Sequence, residues 1–232
     1  MKYETHLAVA YGNGPREESP VRKPALSGGG SFLMIRILDV VISTLALIAL
    51  LPALVIVGII VKLQDKGPIL YSHARIGQNA TEFRCLKFRS MYQRSDELLT
   101  QLLRTNPEAY AEWQADHKLR NDPRVTPFGK FMRKSSLDEF PQLINVIKGQ
   151  MSLVGPRPII QAEISKYGRS FHQYTSVLPG ITGLWQVMGR NDVSYRRRVA
   201  MDRLFARRKS VGLYLFILFA TIPAVLAQKG SY

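Results

Sequence analysis

The sequence predicts a small mixed α/β domain, with a short sheet and several helices, held at a membrane by an N-terminal helix. Three observations predict this class. The 232 residues are 46% hydrophobic, which suffices for one domain with a buried core. Residues 40–61 form a run of 22 residues without a charge, long enough for a membrane helix of about 20 residues. Two short β-type segments and several segments of helical periodicity follow this run.

The net charge of +15 predicts a polyanionic partner, which could be nucleic acid, an anionic membrane surface or a phosphorylated substrate. Residues 1–39 contain five Lys or Arg and four Asp or Glu, so they carry +1 and the later residues carry +14. Cys85 is the single cysteine, which excludes an internal disulfide and fits a reducing compartment. The four histidines are scattered without ligand spacing, so a zinc site is not expected.

Residues 1–31 are polar and contain three consecutive glycines. They lack the apolar segment that a signal peptide places near the start, so we expect a flexible tail. We expect the membrane segment at residues 32–66 and the folded domain at residues 67–232.

The membrane segment carries a proline, Pro52, at the middle of its uncharged run. Proline removes one helix hydrogen bond and kinks the chain. Two models follow: a kinked helix that spans the bilayer, or a helix that breaks at Pro52 and returns to the same face. Most of the positive charge lies beyond this segment, which places the C-terminal domain on the cytoplasmic side.

A β-hairpin is predicted next, because β-type segments at residues 69–76 and 82–88 flank the turn sequence G-Q-N-A. Its second strand runs into K-F-R-S-M at residues 87–91. On residue pattern alone, this motif is typical of a solvated basic strand edge.

Two amphipathic helices are predicted after the hairpin, at residues 94–104 and from residue 106 to about residue 119. Leu98, Leu99, Leu102 and Leu103 share one face of the first helix. Tyr110 and Trp113 in the second are expected in the core or at the membrane surface rather than against a ligand. A turn with the sequence D-P-R-V-T follows at residues 122–126.

Residues 135–158 carry two adjacent carboxylates before a short helix, and a proline-flanked arginine after it. Helical spacing of apolar residues at 143, 144 and 147, with Gly149 as the C-terminal cap, places Asp138 and Glu139 in the first turn of that helix. A helix N-terminus attracts anions, including phosphate. The alternative is a capping box of Ser136 and Glu139, in which Asp138 is merely favoured by the helix dipole.

Near the C-terminus, seven basic residues predict a basic face that lies on anionic headgroups or, alternatively, binds RNA. They are Arg196, Arg197, Arg198, Arg203, Arg207, Arg208 and Lys209. The 17 uncharged residues 211–227, interrupted by Pro223, are short for a span, and we expect an interfacial helix.

Taken together, the motifs of residues 87–91, 122–126 and 135–158 resemble those of a known family, as do P-G-I-T-G-L-W-Q at 179–186 and G-R-N-D at 189–192. The chain resembles the bacterial sugar transferases, the monotopic polyprenyl-phosphate phosphoglycosyl transferases. It is most similar to the short enzymes that start exopolysaccharide repeat units. The resemblance covers about residues 32–232.

The resemblance implies that Asp138 and Glu139 are catalytic, with Asp138 as the nucleophile. Because a carboxylate must then approach an anionic phosphate, we expect the pair to bind Mg²⁺. The resemblance also implies a re-entrant membrane helix, although the family usually breaks this helix at a Ser-Pro step and here Leu51 precedes Pro52. The residues that the matching motifs and turns offer for substrate binding are Lys87, Arg89, Arg124, Arg133, Arg157 and Arg190.

The implied reaction joins a sugar phosphate from a UDP-sugar, with galactose or glucose expected, to undecaprenyl phosphate through a covalent aspartyl intermediate. The implied location is the cytoplasmic face of a bacterial inner membrane, with a homodimer possible. Two other classes remain open: a basic membrane protein that binds nucleic acid, and a non-catalytic scaffold. Aromatic residues do not interleave with the basic clusters, which disfavours nucleic acid, and both carboxylates are present, which disfavours a scaffold.

Overall fold

The computed structural model describes residues 29–116, 119, 121–189 and 193–226, so most of the predicted N-terminal tail lies outside the described residues. The helices are α1 (Gly29–Asp65), α2 (Ser95–Thr105), α3 (Pro107–Asp116), α4 (Pro127–Ser135), α5 (Gln142–Ile147), α6 (Ile164–Tyr167), α7 (Phe171–Thr175), α8 (Leu184–Met188), α9 (Tyr195–Arg208) and α10 (Val211–Leu226). The strands are β1 (Leu70–Ile76), β2 (Glu82–Phe88), β3 (Ser152–Val154) and β4 (Gly180–Thr182). The predicted mixed fold with short sheets is confirmed.

Helix α1 contains the predicted apolar segment and, among the described helices, is the one long and apolar enough to cross a membrane. Its 37 residues are assigned as helix without interruption, with Pro52 inside. Ile35 and Asp39 near its start and Val57 and Val61 near its end are buried, whereas its middle is largely exposed. Both ends therefore pack on the domain. The change of direction at Pro52 stays a prediction.

Side chains in the first turns of α1 bind it to three other elements. The Asp39 carboxylate accepts hydrogen bonds from Ser152 Oγ (3.0 Å), Leu153 N (2.8 Å) and Tyr214 OH (2.8 Å). The Arg36 guanidinium donates to the carbonyls of the last two residues of α5, at 2.6 and 2.8 Å. Such carbonyls lack partners within their own helix, so α1 completes the end of α5.

The predicted hairpin is confirmed, since β1 and β2 pair antiparallel with Leu70 opposite Phe88 and Ile76 opposite Glu82. At the turn, Gly77 N donates to Thr81 O (2.7 Å), and Asn79 has a φ of 55°. Asparagine tolerates this left-handed conformation better than most residues. The hairpin turns Phe83 and Cys85 into the main core.

A second, parallel sheet consists of β3 and β4, with Ser152 opposite Gly180. A Cβ atom built on Gly180 would lie 2.0 Å from Gly155 N, and one on Gly155 would lie 2.4 Å from Leu178 O. These two glycines therefore let two backbone segments approach each other, which accounts for their place in the motifs at residues 135–158 and 179–186.

Helices α2 and α3 confirm the two predicted helices, but only α2 is clearly amphipathic, and it contains no buried residue. Tyr110 is exposed, and Trp113 is partly buried beneath the Arg124 guanidinium, whose carbon lies 5.0 Å from the ring centroid. The α2–α3 pair thus lies on the domain as a peripheral layer.

Helices α9 and α10 give the C-terminal region two different faces. Of the seven predicted basic residues, five point outward: Arg196, Arg197, Arg203, Arg207 and Arg208. In α10, Tyr214 and Ile217 are fully buried, whereas Phe216 and Phe219 are exposed. One side of α10 therefore completes the core, and its contact with a bilayer stays a prediction.

Candidate active site

The carboxylates of Asp138 and Glu139 lie in a separate 3-10 turn, Leu137–Glu139, rather than in the first turn of α5. The prediction of a shared helix is wrong for two local reasons. Ser136 adopts a left-handed conformation (φ 59°) that ends α4. Pro141, which has no N–H, cannot donate to a preceding carbonyl, and α5 begins only after it. The pair is therefore placed by a tight turn between two helices.

The alternative capping box does not form. The Ser136 side chain makes no capping hydrogen bond, and the Glu139 carboxylate binds a lysine instead. The predicted glycine cap is confirmed, because Gly149 has a φ of 78° and its N–H donates to Val146 O (3.0 Å).

Lys87 joins the two carboxylates. Its Nζ atom lies 2.6 Å from Glu139 Oε1 and 3.6 Å from Asp138 Oδ2. The exposed fractions of the three side chains are 26% for Lys87, 22% for Glu139 and 10% for Asp138. The cluster is thus recessed, while each member keeps some surface open to a ligand.

The environment shifts the pKa values of the two carboxyl groups in opposite directions. Burial raises the pKa of Asp138, and the Glu139 charge adds to this rise while Lys87 and Arg133 oppose it. Burial would also raise the pKa of Glu139, but Lys87 and Arg157 outweigh it and hold that pKa below its usual range. Two neighbouring carboxyl groups whose pKa values are shifted in opposite directions suit two different roles.

Two of the predicted substrate-binding arginines lie near this cluster. Arg133, on α4, donates from Nε to Ser90 Oγ (2.9 Å), and burial lowers its pKa while the charge of Asp138 opposes that shift. Arg157 follows β3, is exposed, and acts electrostatically on Glu139. The structure therefore brings Lys87, Arg133 and Arg157 together around the carboxylates.

The remaining predicted arginines are placed differently. Arg124 forms a two-pronged ion pair with Asp122, with Nε and Nη2 at 2.8 and 2.7 Å from its oxygens. Arg89 binds Asp65 and the carbonyl of Val61 (3.2 Å). Arg190 lies outside the described residues.

Sequence reasoning missed two residues beside the cluster. Arg75 on β1 acts electrostatically on Glu139 and donates from Nη1 to Pro158 O (3.2 Å), next to Arg157. Asn145, buried in α5, accepts from Leu86 N (2.9 Å) and donates to Arg84 O (2.8 Å), which fixes β2 just before Lys87. The one signal in the sequence for Arg75 was a charged residue two positions before the turn glycine, Gly77.

Few of the described side chains near the cluster could act as metal ligands. Within the part of the chain that the structure describes, no group of three or more His, Cys, Asp or Glu side chains could hold a metal ion. Asp138 and Glu139 nonetheless fit Mg²⁺, which usually takes one or two protein carboxylates and completes its shell with phosphates and water. Lys87 contacts both of them here.

The model of the bacterial sugar transferase family matches residues 30–228, and the chain belongs to that family. The exopolysaccharide production protein ExoY of Sinorhizobium fredii (strain NBRC 101917 / NGR234) is 50% identical over 232 residues, which cover 100% of both chains.

Two longer relatives share this region. The undecaprenyl-phosphate galactose phosphotransferase of Salmonella typhimurium is 47% identical over 197 residues, covering 85% of this chain and 41% of that protein. The UDP-glucose:undecaprenyl-phosphate glucose-1-phosphate transferase of Escherichia coli is 35% identical over 222 residues, covering 92% and 44%. The family resemblance inferred from the sequence is therefore confirmed.

Proposed function

We propose that this enzyme transfers a sugar 1-phosphate from a UDP-sugar to undecaprenyl phosphate, as the first step of exopolysaccharide repeat-unit assembly. The observation that carries the proposal is the recessed cluster of Asp138, Glu139 and Lys87, with Arg133 and Arg157 beside it. Two anionic substrates require positive charge at the reacting phosphorus, and the three basic side chains supply it. The names of the longer relatives support the same substrates.

The proposed reaction has two displacements at one phosphorus atom. First, an Asp138 oxygen forms a bond to the sugar-bearing phosphorus, and the bond from that phosphorus to the bridging oxygen breaks, which releases uridine monophosphate with the bonding electron pair. An oxygen of the lipid phosphate then attacks the same phosphorus, the bond to Asp138 breaks, and the carboxylate is regenerated. Such covalent catalysis divides one difficult transfer into two easier ones.

The neighbours of Asp138 have separate parts in this scheme. Lys87 and Arg133, which favour the ionised form of Asp138, keep the nucleophile deprotonated and bind phosphate oxygens. Arg157, exposed beside Glu139, binds the diphosphate of the UDP-sugar. Glu139, whose pKa is held low, stays charged and positions Lys87 or a metal ion.

We expect magnesium dependence, with Asp138 and Glu139 as the protein ligands. A bound Mg²⁺ would neutralise phosphate charge and so let a carboxylate approach it. Addition of excess chelator should abolish turnover, and Mg²⁺ added back should restore it. Melting temperature with and without Mg²⁺ is the second readout, because a ligand of the folded state raises it. Full turnover in chelator would contradict the assignment.

The donor sugar is tested with a panel of nucleotide sugars and the release of uridine monophosphate as the readout. UDP-galactose or UDP-glucose should be the preferred donor, with undecaprenyl phosphate as acceptor. UDP-N-acetylglucosamine and UDP-N-acetylgalactosamine serve as matched donors that differ at one ring position. Failure of every UDP-sugar to release uridine monophosphate, with lipid present, would contradict the proposed reaction.

We infer that α1 is re-entrant and that the domain faces the cytoplasm at the inner membrane. Both ends of α1 pack on the same domain while its middle is exposed and apolar, and a straight helix of this length would extend about 55 Å. Tags at residues 5 and 232 should both be protected in intact cells. Labelling of the first tag from outside would establish a spanning helix. Pro52→Ala should favour that spanning form by restoring a straight helix.

A further inference from the structure

Arg89 follows strand β2, two residues beyond Lys87, yet its guanidinium does not face the carboxylate pair. Nη2 binds the Asp65 carboxylate and the carbonyl of Val61 (3.2 Å), both in the last turns of α1. The residue is 9% exposed, and Nη1 is buried without a hydrogen-bond partner among the described residues. A guanidinium enclosed in this way has little surface to offer a nucleotide sugar.

Asp65 binds two chain segments at once. Besides Arg89, it accepts hydrogen bonds from Gln93 N (2.8 Å) and Gly67 N (3.3 Å). One carboxylate therefore holds the chain that leaves α1 together with the chain that leaves β2. A largely buried ion pair with further hydrogen bonds of this kind fixes geometry, and loss of either partner leaves the other uncompensated.

Gly67 leaves room for this arrangement. A Cβ atom at Gly67 would lie 1.6 Å from Arg89 Nη1 and 2.0 Å from Gln93 Nε2. Both atoms are at the ends of flexible side chains, so an added methyl group would push the guanidinium aside without removing any charge.

The backbone of Arg89 and the side chain of Phe88 also hold the C-terminal end of β2 in place. Arg89 N donates to Ile69 O (3.0 Å), which extends the pairing of β1 and β2 by one hydrogen bond. Phe88, between Lys87 and Arg89, lies in an apolar cluster with Val57 and Val61 of α1. The backbone that carries Lys87 is therefore held against the end of the membrane helix.

We propose that Arg89 is a positioning residue, which with Asp65 clamps the end of β2 to α1 and so holds Lys87 against Glu139 and Asp138. This inference rests on the proposed function. It differs from the role in substrate binding that the sequence motif predicts for Arg89, because the guanidinium is largely buried against the end of α1, where Asp65 and the Val61 carbonyl bind it.

The test is a set of steady-state measurements on the full chain, with UDP-galactose or UDP-glucose varied and turnover expressed per folded molecule. Arg89→Gln, Asp65→Asn and Gly67→Ala should each lower kcat about tenfold and leave the KM for the UDP-sugar within about twofold of its original value. The double variant of Arg89 and Asp65 should lose no more than either single variant, because both act through one contact. Arg89→Lys, which keeps a charge beside Asp65, should recover part of kcat.

A matched control lies nearby on the surface. Arg94 and Glu97 form an ion pair of 3.5 Å whose side chains are 81% and 72% exposed. Arg94→Gln and Glu97→Gln remove the same charges from an exposed pair and should leave kcat and KM unchanged.

Three results would overturn the inference. A rise in KM with Arg89→Gln that Asp65→Asn does not share would make Arg89 a substrate-binding residue. Unchanged kcat per folded molecule, with only a lower melting temperature, would make the ion pair purely structural. Additive losses in the double variant would show that the two residues act separately. An unmodified enzyme that releases no uridine monophosphate would instead refute the proposed function, so the two failures are distinguishable.

Discussion

Replacing Asp138 by asparagine is expected to abolish both transfer to the lipid and formation of a covalent sugar phosphate on the enzyme. An amide is a very poor nucleophile, so turnover should fall on the order of 10³-fold or more, as when other covalent nucleophiles are removed. Incubation of the unmodified enzyme with UDP-sugar alone should add a sugar phosphate at Asp138, detected by mass spectrometry, and release uridine monophosphate. Both signals should be absent from Asp138→Asn.

Glu139→Gln is the matched control, because it makes the same change at the adjacent carboxylate. We expect it to slow turnover but still to form the adduct at Asp138, since the nucleophile remains. An adduct found on Glu139 would reverse the two assignments. Release of uridine monophosphate only when lipid phosphate is present, with no adduct at any time, would indicate direct displacement and leave Asp138 as a base or metal ligand.

The elements that the sequence predicted well are those set by local pattern. The apolar centre of α1 follows from its uncharged run, although the helix extends beyond that run at both ends, and the β1–β2 hairpin follows from turn residues between two β-type segments. The turn that carries Asp138 was mispredicted because apolar spacing extends the helix backward, whereas the left-handed Ser136 and the missing N–H of Pro141 limit it. The spacing of apolar residues carries no information about either effect.

Side-chain partners were harder to predict than elements. Arg89 and Asp65 are 24 residues apart, and Lys87 and Glu139 are 52 apart, so no local pattern pairs them. The family motifs predict Lys87, Asp138 and Glu139 as site residues, and the structure brings the three into contact. The same motifs could not tell that Arg89 turns toward α1, because that depends on how the helix end packs against β2.

Replacing Lys87 by glutamine should have the second largest effect on activity. Among the residues that the structure describes, Lys87 is the cation closest to both carboxylates, at 2.6 and 3.6 Å, and without it two like charges face each other in a recessed site. We expect kcat to fall about 10²-fold, in the range seen when one stabilising group is removed from an active site. Lys87→Arg keeps the charge and should retain more of kcat, while Lys130→Gln, an exposed lysine of α4, serves as a neutral control.

The pH dependence of the Lys87→Gln enzyme tests the role of Lys87 more specifically than the fall in kcat does. The nucleophile must be ionised, so the rate falls as pH falls through the pKa of Asp138. Burial raises that pKa, and Lys87 is the strongest of the groups that oppose the rise. Its removal should therefore move the acid limb of the pH–rate profile to higher pH, because Asp138 then keeps its proton over a wider range. Lys87→Arg should move the limb less. If the acid limb of Lys87→Gln lay at the same pH as that of the unmodified enzyme, Lys87 would act on the substrate phosphate alone and would not set the ionisation of the nucleophile.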